Sequence, residues 1–481
     1  MNTRLGGSNV RTGALRLFAL AAALQGAAFA GEMERATPES QGVDSRAILA
    51  WLDACDQKLQ YMHGFVIVRH GKVIAEGTWA PFDTLRRPHM LYSHSKSFTS
   101  TAIGFLADDG KLDIDERISD IFADKMPSNP PPWLMEVRVR DLLTMNFGSD
   151  ANKPPKCNLD QKDWERGILS RPMETRPGTR HRYDSDATYL LACIVERKSG
   201  KRVMEFLKER LFDPLGMESP WSTVSPSGTA CGGWGMNMTT RDLAKFGQFL
   251  LNGGTWNGNR VMSSDWIRLA SSKHTNSNGG PDWRMGYGFQ FWRCQHNAYR
   301  ADGAAGQYTV VMEDQDAVVS INAAIGDMQK ELDLVWAHLL PAFGNEPLPE
   351  NAEAQKALAN RIASLAIAPM PRGAEGVGAN LPAKVTINRN DLRIGGEGTL
   401  ERTEKGWALV SGGRRLEIGD GAWAETTWKF DDGNIEPAFL LIGTRTAVAS
   451  GAWKDAKTFK VTWHLLGAIQ NGSFEVKVQG D

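Results

Sequence analysis

The run Ser93-His94-Ser95-Lys96 opens a segment, Leu91 to Asp109, whose interior is apolar (Phe98, Ile103, Phe105, Leu106) and which Gly110 stops. The pattern predicts a helix that the rest of the chain must bury. On a helix, a serine and a lysine three residues apart share one face, one turn apart. An isolated hydroxyl is a poor nucleophile, but a neighbouring neutral amine can take its proton. Burial disfavours the ammonium and lowers the lysine pKa from about 10.4. A fall to near neutrality corresponds to roughly 4 kcal/mol, within what a folded domain can supply. The helix start also offers unpaired N–H groups to a developing oxyanion. A Ser-x-x-Lys pair arises by chance on the order of once or twice in a chain this long. Its bland alternative is an N-cap serine beside a solvated lysine.

Two further stretches could complete such a site. Tyr183-Asp184-Ser185 follows Gly178 in a turn-rich region and precedes a helical pattern over Tyr189 to Ser199, stopped by Gly200. A tyrosine oxygen brought beside Ser93 and Lys96 would relay protons, and Ser185 would bond the lysine or the substrate. Asp302-Gly303-Ala304-Ala305-Gly306-Gln307 sets small residues beside a strand. Gly303 and Ala304 there would let a substrate approach and supply oxyanion N–H groups. The alternatives are a structural tyrosine and a plain hairpin lead-in. Lys96, Ser93 and Tyr183 are the candidate catalytic residues.

These three stretches, in this order, resemble the penicillin-recognising serine hydrolases: class C β-lactamases, DD-peptidases, and related esterases and 6-aminohexanoate-dimer hydrolases. The resemblance covers roughly Gly64 to Phe343. Gly110-Lys111-Leu112, Asp141 to Met145, Leu211 to Met217 and Gly232-Gly233-Trp234-Gly235 are similar too. It implies Ser93 as the acylated nucleophile, with Lys96 and Tyr183 as general base and acid. One departure matters. Where the family's lactamases and peptidases carry Lys-Thr-Gly or His-x-Gly, this chain has Ala301-Asp302-Gly303. The cation that greets a substrate carboxylate is missing there, and Asp302 is expected to repel one. Esters or amides without that carboxylate fit better, unless an arginine elsewhere substitutes. The second reading is a β-lactamase or D-alanyl-D-alanine carboxypeptidase. A third is a non-catalytic protein that binds wall fragments.

The fold expected is α/β: an antiparallel sheet flanked by helices with a helical insertion, followed by a small all-β domain. Gly64 to Trp79 reads as a hairpin turning at His70-Gly71, and Tyr308 to Asn322 as another. Val137 to Met145 reads as a strand entering a helix, and Tyr287 to Trp292 as a strand. Asn146 to Arg182 reads as a long ordered loop region. The chain has 481 residues, more than one core usually supports. The expected division is a signal peptide over 1–30, a hydrolase domain over 31–345, a helical linker over 346–382 and a barrel or sandwich over 383–481. In the last, Phe459, Val461 and Trp463 alternate on one face, and its dense tryptophans read as core.

Arg4, Arg11 and Arg16 precede the apolar run Leu17 to Leu24 and the small residues of Ala28-Phe29-Ala30. That is a leader pattern, and it predicts an exported protein, periplasmic or secreted, with no stable membrane insertion after cleavage. The net charge is −1 and no long basic run occurs, which argues against nucleic acid as a partner. No His-Glu-x-x-His, Cys-x-x-Cys, P-loop or Gly-x-Ser-x-Gly is present, so neither a metal nor another cofactor is expected. The expected partner is a small ester, amide or peptide substrate. The odd count of five cysteines leaves at least one thiol free within the chain. His94 points about 100° from Ser93 on a helix and is expected to pack rather than act as base.

Overall fold

The computed structural model describes residues 32–150, 162–373, 378, 380–388, 390–430 and 443–479. The expected leader, Cys157 and part of the 146–182 loop lie outside them. After α1 (Ser45–Lys58), β1 (Met62–Arg69) and β2 (Lys72–Thr78) form the first hairpin. His70 and Gly71 both have positive φ, at 49° and 74°, as a tight turn matched to strand twist requires. The short β3 (His89–Met90) leads through a 3-10 turn (Tyr92–His94) into α2 (Ser95–Asp108). Next come α3 (Val139–Leu143), α4 (Trp164–Leu169) and α5 (Ser185–Ser199), the last stopped by Gly200 at φ 72°. The short strands β4 (Trp221–Ser222) and β5 (Met236–Met238) pair beside β3. They precede α6 (Thr240–Leu251) and α7 (Ser264–Ser271). The chain then returns through β6 (Trp292–Arg293), β7 (Tyr299–Gly303), β8 (Gln307–Met312) and β9 (Ala317–Ala323).

The main sheet is antiparallel, in the order β2-β1-β9-β8-β7-β6. All eight residues of β1 are buried, because both sheet faces are covered. One face packs Phe65, Ile67, Val310 and Val319 against Trp51, Leu52 and Leu332, from α1 and α8 (Met328–Leu334). The other packs Val66, Val68 and Val318 against Ala244 of α6. Beyond α6, α2 and α5 build a second core with Phe98, Ile103, Leu190 and Leu191.

Three sequence expectations need correction. The 146–182 stretch read as loop contains the helix α4, which Asp163 caps by accepting from Arg166 N. Val137 to Arg138 forms no strand: Arg138 makes a single bridge to Arg117 before α3 begins. Only Trp292 of the Tyr287–Trp292 run lies in a strand, because Gly288 N bonds Phe291 O at 2.8 Å and folds the run back on itself.

A helix α9 (Ala352–Ala363) packs on α1, where Arg361 Nε donates to Asp53 at 2.8 Å. Among the described residues eight strands follow. They are β10 (Ala383–Ile387), β11 (Gly396–Thr403), β12 (Gly406–Ser411), β13 (Arg414–Gly419), β14 (Ala424–Phe430), β15 (Gly443–Trp453), β16 (Thr458–Leu465) and β17 (Asn471–Val478). Their order is β13-β12-β11-β10-β17-β16-β15-β14, and a Gly419–Ser450 bridge joins β13 to β15 and closes the barrel. Trp407, Trp428 and Trp463 fill its interior with Leu409, Phe459 and Val461.

Helix α2 is buried on every side, and Gly104 marks its closest contact. A methyl added there would stand 2.6 Å from Trp266 Cε2, against a rigid indole of α7. Alanine gains about 1 kcal/mol of helix propensity over glycine, whereas overpacking costs about 1–3 kcal/mol. Gly104→Ala is therefore expected to lower the urea midpoint; an unchanged or raised midpoint refutes this packing.

Candidate active site

Helix α2 carries an unusual load of buried polar side chains, and neighbouring backbone groups bond three of them. Ser97 Oγ donates to Gln290 O at 2.8 Å, and Thr99 Oγ1 to Gly232 O at 2.9 Å. Ser95 Oγ accepts from Met236 N at 3.1 Å. These bonds fix the helix start against β5 and the glycine-rich turn before it. Ser93 lies in the 3-10 turn just ahead of α2, one step after Tyr92 at φ 50°.

Lys96 points from the first turn of α2 into this corner. Its Nζ lies 3.1 Å from Ser93 Oγ, 3.0 Å from Ser185 Oγ and 2.6 Å from Gly233 O. The residue is 1% exposed, so its ammonium would have little water to solvate it. Desolvation by burial brings its pKa down to about 7, opposed by the charges of Asp184, Asp186 and Asp302. Those aspartates are held off: Arg171 lies 3.8 Å from Asp184 and 3.0 Å from Asp186.

Tyr183 covers the amine from outside, with Nζ 4.7 Å from its ring centroid. Its ring stacks on Trp292 at 5.8 Å and stays 37% exposed, within reach of a ligand. Burial of the phenol end pushes its pKa up, opposed by a hydrogen bond with Ser93 and reinforced by Asp302. A phenol so raised stays protonated near neutral pH and suits an acid, while the lysine amine suits a base. Ser185 heads α5, where Asp184 caps the helix by accepting from Asp186 N.

The chain thus brings Ser93, Lys96, Tyr183 and Ser185 together from separate segments. Gly303 joins them at the end of β7. A side chain there would collide with Leu91 O, so only glycine admits the strand this close to the turn that carries Ser93. Ala304 follows in the β7–β8 hairpin.

Residues 57–342, more than half of the chain, match the family model described as Beta-lactamase. The chain belongs to the beta-lactamase family. It is 30% identical over 253 residues to the 6-aminohexanoate-dimer hydrolase of Paenarthrobacter ureafaciens, a match covering 48% of this chain and 63% of the relative. It is 27% identical over 176 residues to the N-acetylmuramyl-L-alanine amidase of Bacillus subtilis, covering 31% and 40%. The chain thus spans under two thirds of the length of either curated relative. The octameric penicillin-binding protein homologue of Pyrococcus abyssi shares its fold at a TM-score of 0.50 and 15% identity. That likeness covers 90% of this chain and 99% of the other.

Within this family fold, the expected repulsion by Asp302 needs revision. Arg300 and Asp302, two apart on β7, point to one side of the strand. Arg300 Nε donates to Asp302 Oδ2 at 2.8 Å. The arginine side chain is fully buried, 4.4 Å over the Trp283 ring. The carboxylate is therefore compensated from within. The same clamp leaves Arg300 unable to greet a substrate carboxylate. The buried His94 ring lies near Phe98, and burial pushes its pKa down to about 3, which fits packing.

Gly233, Arg300 and Tyr92 escaped the reading of the sequence as site residues. Gly233 had a signal in its glycine cluster: a methyl there would lie 2.6 Å from Ser185 O, so only glycine lets its carbonyl reach Lys96.

With the amine as base, kcat/KM should rise with pH through an acid limb near 7, as the ammonium loses its proton. Lys96→Met should remove that limb and cost about 10²–10⁴-fold in rate. Asp302→Asn should move the limb to lower pH, because the charge favouring the ammonium is gone. A pH–rate profile indifferent to both changes would rule out Lys96 as the base.

Proposed function

We propose that this protein is an exported serine hydrolase that cleaves a carboxylic ester or amide through an acyl-enzyme on Ser93. The observation that carries the reading is the buried Lys96 amine, its pKa lowered to about 7, 3.1 Å from Ser93 Oγ. Ser93 Oγ attacks the acyl carbon while its proton passes to neutral Lys96. The oxyanion rests on the N–H groups of Ser93 and Ala304, beside Gly303. Collapse breaks the bond to the leaving group, which takes the Tyr183 proton. Lys96 then returns its extra proton to Tyr183. Water repeats the sequence in reverse and frees the acid. Ser185 keeps the amine aimed at Ser93.

Substrates whose reacting part lacks a carboxylate fit best, since Arg300 is occupied by Asp302. The names of two relatives, a dimer hydrolase and an amidase, support hydrolysis as the reaction class. The leader pattern at 1–30 supports export to the periplasm or medium, with the hydrolase part over 31–345, a linker over 346–382 and the barrel over 383–481. Among the described residues no helix is long and apolar enough to cross a membrane.

Mass spectrometry of the protein mixed with esters, small amides, D-peptides and β-lactams tests the reading. An acyl adduct on Ser93 with carboxylate-free esters or amides, absent in Ser93→Ala, is expected. Turnover confined to β-lactams or D-Ala-D-Ala peptides would overturn the substrate class. An adduct surviving in Ser93→Ala would overturn the nucleophile. Failure to label with a fluorophosphonate would favour the non-catalytic reading.

A further inference from the structure

The barrel touches the main-chain segment that carries the nucleophile. The turn at 465–470, between β16 and β17, lies along β3 and the 3-10 turn that follows it. Met90 N donates to Gly467 O at 2.9 Å. Gly467 has φ 76°, and a methyl on it would stand 2.7 Å from Pro88 O, so the two segments lie in close contact. Gln470, at the base of that turn, meets Tyr92: its Nε2 donates to the phenol oxygen at 3.1 Å, and its Oε1 lies 3.3 Å from the same oxygen. Tyr92 is 2% exposed and packs among barrel side chains such as Ile387, Trp463 and Ala468. Ala304 rests on the same apolar cluster.

This contact has an energetic meaning at Tyr92. A non-glycine residue at φ 50° is strained and persists only where its surroundings hold it. The peptide that follows Tyr92 carries the Ser93 N–H. The barrel therefore holds the side chain whose strained backbone aims one proposed oxyanion donor, and it also packs behind the residue carrying the other.

We propose that the 465–470 turn of the barrel belongs to the catalytic apparatus, with Gln470 a positioning residue that acts through Tyr92 on the Ser93 N–H. The proposal rests on the reading of Ser93 as the nucleophile. A displaced donor weakens transition-state binding and leaves substrate binding intact, so the effect falls on kcat rather than KM. Misplacement by about 1 Å costs up to about 10²-fold.

The test uses the full chain and an ester found to be turned over. Gln470→Leu and Tyr92→Phe should each lower kcat and the rate of fluorophosphonate labelling by about 10- to 100-fold, with KM within twofold of the parent. The double variant should be no slower than the worse single one, since both remove one link. Gln470→Glu keeps an acceptor for the Tyr92 hydroxyl and should retain most of the rate. Melting curves and circular dichroism report folding for each variant. Parent-like kcat in folded Gln470→Leu and Tyr92→Phe, even with lowered melting temperatures, would overturn the proposal and leave Ser93 as nucleophile. An inert Ser93 in the parent chain would overturn both readings.

Discussion

Burial of a single amine governs this site. Moving Lys96 from an ordinary pKa of 10.5 to about 7 corresponds to roughly 5 kcal/mol, a large share of a domain's net stability. Surrounding structure must supply it. Its bonded neighbours are two hydroxyls and a carbonyl, none of them charged. A carboxylate in direct contact would hold the proton on, and the amine would be useless as a base. The nearby aspartates are instead turned toward Arg171 and Arg300. Through linkage, the cost this group imposes on the folded state falls as pH rises from about 7 toward 10, because the unfolded amine binds the proton more tightly.

Close backbone approach is the second requirement. Gly233 and Gly303 stand where any side chain would strike Ser185 O and Leu91 O. Both glycines are needed for space. They let a carbonyl reach the lysine and let β7 close against the turn that carries Ser93. The serine and threonine content of α2, odd for a core helix, follows from the same crowding. Its polar face meets buried backbone of the 232–236 and 290 segments rather than apolar side chains.

Arg300 and Asp302 pair on one strand, in contact with Trp283. The wall beside Tyr183 is aromatic, built from Trp292 and Tyr287. A neutral, partly aromatic wall suits an uncharged acyl group better than a carboxylate. The barrel adds a second body whose hairpin lies behind the turn that carries Ser93. Trp407, Trp428 and Trp463 are consumed by its own core, whereas Trp423 packs near Phe82 and donates to Ile367 O at 3.0 Å.

Local patterns in the sequence determined a good deal. Hydrophobic periodicity and glycine stops gave α2, α5 and both hairpins, and helical spacing alone put Ser93 and Lys96 on one face. The alternation of Phe459, Val461 and Trp463 gave a β structure at the end of the chain. Tertiary structure decided the rest, because charge state and strain depend on neighbours remote in sequence. That Lys96 is desolvated, that Asp302 is paired with Arg300, and that Tyr92 is held by Gln470, 378 positions away, follow only once the chain is folded. Sequence spacing fixes which side chains share a turn of helix; burial and electrostatic pairing are properties of the packed molecule.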